Sequence, residues 1–193
     1  MRQAPTVAVV QHGYAHRNHA PAGERNWELG SHRPVEAVVG ELRTGRTQLE
    51  RRFGPRFVPA LVPPWNRIDA GVVMGLPAAG FEGLSTFGPR AMAEPTPKLV
   101  QCNTHVDLIA WRRGRLFIGP DAGIERVVAH LRARREGAVD PVEPTGILTH
   151  HLDFENDAWD FLAELVARTE AHGAATWIAP RTAFGAVTSA RSA

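Results

Sequence analysis

Two histidines four residues apart, His12 and His16, follow a short apolar run and are separated by Gly13, Tyr14 and Ala15. If the chain turns into helix after the run, both imidazoles fall on one face about a turn apart, a separation that suits two ligands of one zinc ion. Gly13 stands where a metalloprotease would carry a glutamate, so that chemistry is not indicated. By itself the pair is more often the mark of surface or core histidines. A second pair, His150-His151, ends another apolar run; strand alternation sends the two rings to opposite sides, so one of them at most enters a site. Imidazole transfers protons near neutral pH, which makes His150 a candidate acid-base group, the plainer reading being a hydrogen-bonded structural histidine. His105 and Asp107 share one side of an extended segment and can orient a substrate or bond to each other.

These residues need elements to hold them, and the apolar pattern supplies them. Runs of strand character lie at Thr6–Gln11, Arg56–Val62, Phe81–Ser85, Leu99–Cys102, Gly146–Thr149 and Ala175–Ile178. Helical spacing appears in Pro34–Phe53, although Gly40 and Gly45 weaken it, and in Ile124–Arg135, where Ile124, Val127, Val128 and Leu131 would be buried. A further helix, capped by Asn156 or Asp157, carries Phe161, Leu162, Leu165 and Val166 up to Gly173. Strands alternating with helices predict an α/β domain with a largely parallel sheet or barrel, one domain over residues 1–193. In such folds the C-terminal ends of the strands form one face. Four strands end in chemistry: His12, the run Pro63-Pro64-Trp65-Asn66-Arg67, the run Asn103-Thr104-His105-Val106-Asp107, and His150. The loops Asn18–Arg33 and Phe87–Lys98, rich in Pro and Gly, would rim a substrate groove.

Charge and composition narrow the classes. Twenty-two Lys and Arg stand against twenty Asp and Glu, with no basic run interleaved with aromatics, so nucleic acid is not an expected partner. The basic stretch Leu131–Arg135 reads as the solvated end of a helix. The lone Cys102 excludes an internal disulfide and suits a reducing compartment; it reads as a small buried hydrophobe. Val7–Val10 is too short for a signal-peptide core or a membrane span, so no membrane partner and a cytoplasmic location are expected.

Taken together, the motifs resemble the polysaccharide deacetylase family, the NodB-homology carbohydrate esterases. Val9-Val10-Gln11-His12-Gly13-Tyr14-Ala15-His16 resembles the second family motif, Leu61-Val62-Pro63-Pro64-Trp65-Asn66-Arg67 the third, and Leu148-Thr149-His150 the last. The likeness runs from about Val7 to about Phe184. It implies a distorted (β/α) barrel that removes an N- or O-acetyl group from an acetylated carbohydrate with a divalent metal, zinc first. His12 and His16 would hold the metal, His150 would protonate the leaving group, and Trp65 would line the acetyl pocket. Asn66, Arg67, Asn103, His105 and Asp107 would line the groove for substrate.

One departure matters. The family's Asp-Asp motif, source of the third ligand and the general base, has no counterpart in residues 1–11. The resemblance therefore implies a barrel incomplete at its N-terminus by one or two strands, from a start placed too late, a truncation, or a shortened paralogue. Val7–Val10 would then lie at an open sheet edge through which copies of the chain could pair as a homo-oligomer. Two other functions compete: a non-catalytic carbohydrate- or partner-binding module with Trp65 and Trp111 as sugar platforms, and a metal-dependent hydrolase of some other amide.

Overall fold

A computed structural model describes residues 7–189. In chain order the elements are β1 (Val9–His12), α1 (Val35–Phe53), β2 (Phe57–Val62), α2 (Ala70–Gly75), β3 (Gly83–Leu84), β4 (Val100–Gln101), β5 (Val106–Asp107), β6 (Ile109–Ala110), β7 (Leu116–Phe117), α3 (Pro120–Arg135), β8 (Ile147–Leu148), α4 (Asn156–His172) and α5 (Pro180–Ser189). The protein is mixed α/β, and it divides into two compact units: residues up to 102 together with those from 179 onward, and residues 103–178.

The first unit is built on a parallel sheet in sequence order, β1-β2-β3-β4. β2 is one of its two inner strands, and Phe57, Val58, Ala60 and Leu61 are buried on both of its faces, as a sheet covered on two sides requires. Pro59 has no N–H to give to a ladder, and the β1–β2 register slips at this point, with Val9 facing Phe57 but Gln11 facing Leu61. Among the described residues, β1 and β4 stand at the two ends of the order. α1 crosses from β1 to β2 and buries Val38, Val39 and Leu42 against Leu61, Leu76 and Phe81. It starts beyond Pro34 and stops at Gly54, whose φ of 50° belongs to the left-handed region. Gly45, a weak point by helix propensity, is where α1 closes on β1: a Cβ there would sit 2.6 Å from Gln11 Nε2. α2 and α5 are not among the helices expected from the sequence. Asp69 caps the first by accepting from the Gly71 amide at 2.8 Å.

The second unit joins a parallel pair, β5 with β8, and an antiparallel pair, β6 with β7, to helices α3 and α4. Its core is Val106, Leu108, Ile109, Phe154, Ala158, Phe161 and Leu165. α4 matches the expected helix and ends at Gly173 in the left-handed conformation, but its N-cap is Glu155. α3 differs from expectation. It begins four residues earlier, at Pro120, and leaves Ile124, Val128 and Leu131 exposed; Gly123 makes the close contact, against Phe161. Ala175–Ile178 is irregular rather than a strand. The start of the first predicted strand, Thr6, lies outside the described residues. Cys102 is buried, as read. No helix among the described residues is long and apolar enough to cross a membrane.

Candidate functional site

In the first unit, β1 ends at His12 and the chain continues through an irregular loop, not a helix. The two imidazoles meet all the same, their ring centres 5.1 Å apart. Backbone geometry replaces helical spacing: Gly13 and His16 both adopt positive φ, 62° and 52°. Gly13 is required there twice, by its φ and by space. A Cβ would lie 2.1 Å from Glu28 Oε2 and 2.5 Å from Pro64 Cγ.

Glu28 organises this loop. It is 1% exposed, and its Oε1 accepts from the amides of Tyr14 (3.2 Å) and Ala15 (2.7 Å), while the buried Oε2 has no hydrogen-bond partner. Its only signal in the sequence is a lone acid between Trp27 and Leu29, too little to mark it as functional. The loop farther on is pinned by Arg33, which binds the Glu41 carboxylate of α1 through two nitrogens and contacts His19 at 3.1 Å.

His12 Nδ1 lies 3.0 Å from the carbonyl oxygen of Val62, at the end of β2. A carbonyl only accepts, so Nδ1 carries the proton and Nε2 keeps its lone pair. Metal-binding histidines are commonly oriented in this way. Loss of surrounding water holds the His12 pKa below its ordinary value, against the pull of the Val62 carbonyl and with help from the neighbouring His16. A neutral ring with a free Nε2 is the form that binds a cation. The donor chemistry of the pair thus fits a divalent metal, but among the described residues no group of three or more His, Cys, Asp or Glu is placed to hold one.

Trp65 completes the cluster. Its ring centre is 4.4 Å from that of His16. The turn that places it, Pro64–Asn66, is strained: Trp65 and Asn66 both have positive φ, 55° and 56°, each costing on the order of 1–3 kcal/mol. Beyond Trp65, Asn66 and Arg67 line a cavity of about 420 Å³ with Trp27, Thr86, Phe87 and Gln101. Trp27 comes from one of the two loops expected to rim a groove and Phe87 from the other.

In the second unit, β8 leads into His150, whose Nε2 lies 3.3 Å from Asp107 Oδ1 on β5. The same carboxylate accepts from the Ile109 amide (3.0 Å) and from Trp111 Nε1 (2.7 Å), and the Trp111 ring stands edge-on to His150, 4.6 Å between centres. Parallel pairing of β5 with β8, Asp107 opposite Leu148, brings the two strand ends together. His151 is exposed in the following turn.

His105 and Asn103 are held inside this unit. His105 Nδ1 accepts from the Gly146 amide (3.1 Å), which leaves its proton on Nε2, 3.2 Å from Glu143 Oε2; the other Glu143 oxygen accepts from the Asn103 amide at 2.8 Å. Both Glu143 and the His105 side chain are at most 1% exposed. His130 of α3 stacks on His105, 3.7 Å between centres, and bonds Thr145 Oγ1 at 3.0 Å. Glu143 and His130 are also residues that sequence reasoning missed, since neither stands at a strand end.

Compared with protein-family models, curated proteins and solved structures, the chain has no match in any of the three.

Proposed function

We propose that the protein is a metal-dependent hydrolase that removes an acetyl group from a carbohydrate, on a relative of the (β/α) barrel of the polysaccharide deacetylases. The observation that carries this reading is the cluster of His12, His16 and Trp65, in which His12 is fixed as the tautomer with a free Nε2. Consecutive parallel strands β1 to β4 in sequence order support the barrel relationship, because a (β/α) barrel grows in that way.

His12 and His16 are the residues that would hold the metal, with Glu28 keeping their loop in place. A divalent cation there would supply polarisation of the acetyl carbonyl and a more acidic water. Trp65, packed on His16, offers an apolar wall for the acetyl methyl. By the family resemblance, His150 would exchange the proton with the leaving amine or alcohol. Asp107 lies 3.3 Å from that ring, and Trp111 donates to the other oxygen of the carboxylate.

Elemental mass spectrometry of the purified chain, with acetate release from an acetylated oligosaccharide measured in parallel, tests the reading. Zinc near one per chain that is lost in the His12→Ala/His16→Ala variant is expected, as is acetate release that falls by about 10²–10⁴-fold in His150→Ala with zinc retained. Full metal occupancy in a folded double variant would refute the site. The two-histidine donor set among the described residues favours a second reading, a carbohydrate-binding module without turnover. Binding of acetylated sugar that is left intact would establish that alternative.

A further inference from the structure

The cavity beside Trp65 has a chemistry that the deacetylase reading does not use. It lies wholly within the first unit and has about 420 Å³, in the range of small-ligand sites and ample for one sugar ring. The residues that line it and carry polar groups are Arg67, Asn66, Gln101, Thr86 and Trp27, with Gln101 Nε2 donating to Thr86 Oγ1 at 3.3 Å; no acidic residue lines it. Arg67 donates through Nη1 to the Asn26 carbonyl at 2.8 Å, and no carboxylate pairs with it among the described residues. Trp27 Nε1 is buried without a hydrogen-bond partner. Phe87 and Ile68 add apolar surface.

A lining that joins an arginine paired with no carboxylate among the described residues to a tryptophan with an unpaired N–H, and that carries no acid, is a setting for an anion. A single guanidinium grips one planar carboxylate with two N–H groups and balances its charge, whereas a doubly charged phosphate would keep an uncompensated charge. Aromatic faces beside these donors suit a sugar ring. The strained turn links this cavity to the histidine pair: Trp65 packs on His16, and the next two residues are Asn66 and Arg67.

We propose that this cavity binds the carboxylate of an acidic sugar, so that the substrate is an acetylated carbohydrate carrying a carboxylate near the acetyl group. The identity of the substrate rests on the deacetylase reading; the carboxylate site does not. Calorimetric titration of the full chain with methyl β-D-glucuronide, methyl β-D-glucoside and glucose 6-phosphate tests the site. The glucuronide should bind about tenfold tighter than the glucoside, the preference should shrink with added salt, and Arg67→Gln should abolish it while Arg67→Lys retains part. Thermal unfolding of each variant establishes that it is folded. Should Arg67→Gln not fold, the salt dependence and the Arg67→Lys variant carry the test. Equal or undetectable binding of the uronide and the neutral glycoside overturns the proposal, as does tighter binding of the phosphate. Acetate released without any preference for acidic sugars would overturn the carboxylate site and leave the deacetylase reading standing. Carboxylate-dependent binding without acetate release from any acetylated sugar would do the reverse.

Discussion

Glu28 shows how much of the histidine cluster depends on a residue outside it. Its carboxylate caps the amides of Tyr14 and Ala15, the two residues between Gly13 and His16. Glu28→Ala should cost about 1–3 kcal/mol, since it leaves two N–H groups without their acceptor, and should lower metal retention although both imidazoles remain. Glu28→Gln keeps an acceptor oxygen and should lose less. Urea unfolding together with metal content tests this; a Glu28→Ala chain that matches the parent in both would show that the loop holds itself. The two histidines were marked in the sequence by their residue type and Trp65 by the family resemblance, whereas the helical spacing that suggested the pair does not occur. Glu28 was not marked, since a buried acid is distinguished only by the amides that fold onto it.

Helix α3 meets the strand pair β5–β8 through polar residues as well as apolar ones, and that junction responds to pH. Burial, assisted by the charges of His105 and Arg134 and opposed by Glu143, lowers the His130 pKa from 6.5 to about 4. The unfolded chain takes up a proton at the ordinary value, whereas the folded chain resists it until about pH 4. The contribution of His130 to stability is therefore complete above pH 6.5 and is lost as the pH falls toward 4. The melting temperature should drop across this interval, and His130→Gln, which can still bond Thr145, should flatten the drop. An unchanged pH profile in a folded variant would remove His130 from the account. The helices themselves were unequally legible. α4 follows its apolar period, while α3 exposes Ile124, Val128 and Leu131 and packs through Gly123, where a small residue admits Phe161.

Over the whole molecule, the chain leaves the first unit after Cys102 and returns to it at Ala179. The returning helix α5 is anchored in two ways. Arg181 Nη2 donates to the carbonyls of Pro55 and Phe57, both at 2.9 Å, and Phe184 lies over Gly83, where a Cβ would come within 2.5 Å of the ring. Phe184→Ala should destabilise the protein by about 2–3 kcal/mol, less than a fully buried phenylalanine would, because this ring is half-buried. An unfolding midpoint unchanged by the substitution would show that α5 is not needed by the sheet. This closure joins residues more than a hundred positions apart, so no local pattern announces it.

Local chemistry thus sufficed for the α/β class, strand β2, helices α1 and α4, and the residue types able to bind a metal or move a proton, because hydrophobic period and side-chain chemistry are properties of short segments. Tertiary structure alone decided that a loop instead of a helix pairs His12 with His16, that Asp107 faces His150, that Glu143 and His130 enclose His105, and that Arg67 enters a cavity with no acid. Each of those outcomes depends on backbone groups and carboxylates brought from distant positions, whose burial and hydrogen bonding exist only once the chain has folded.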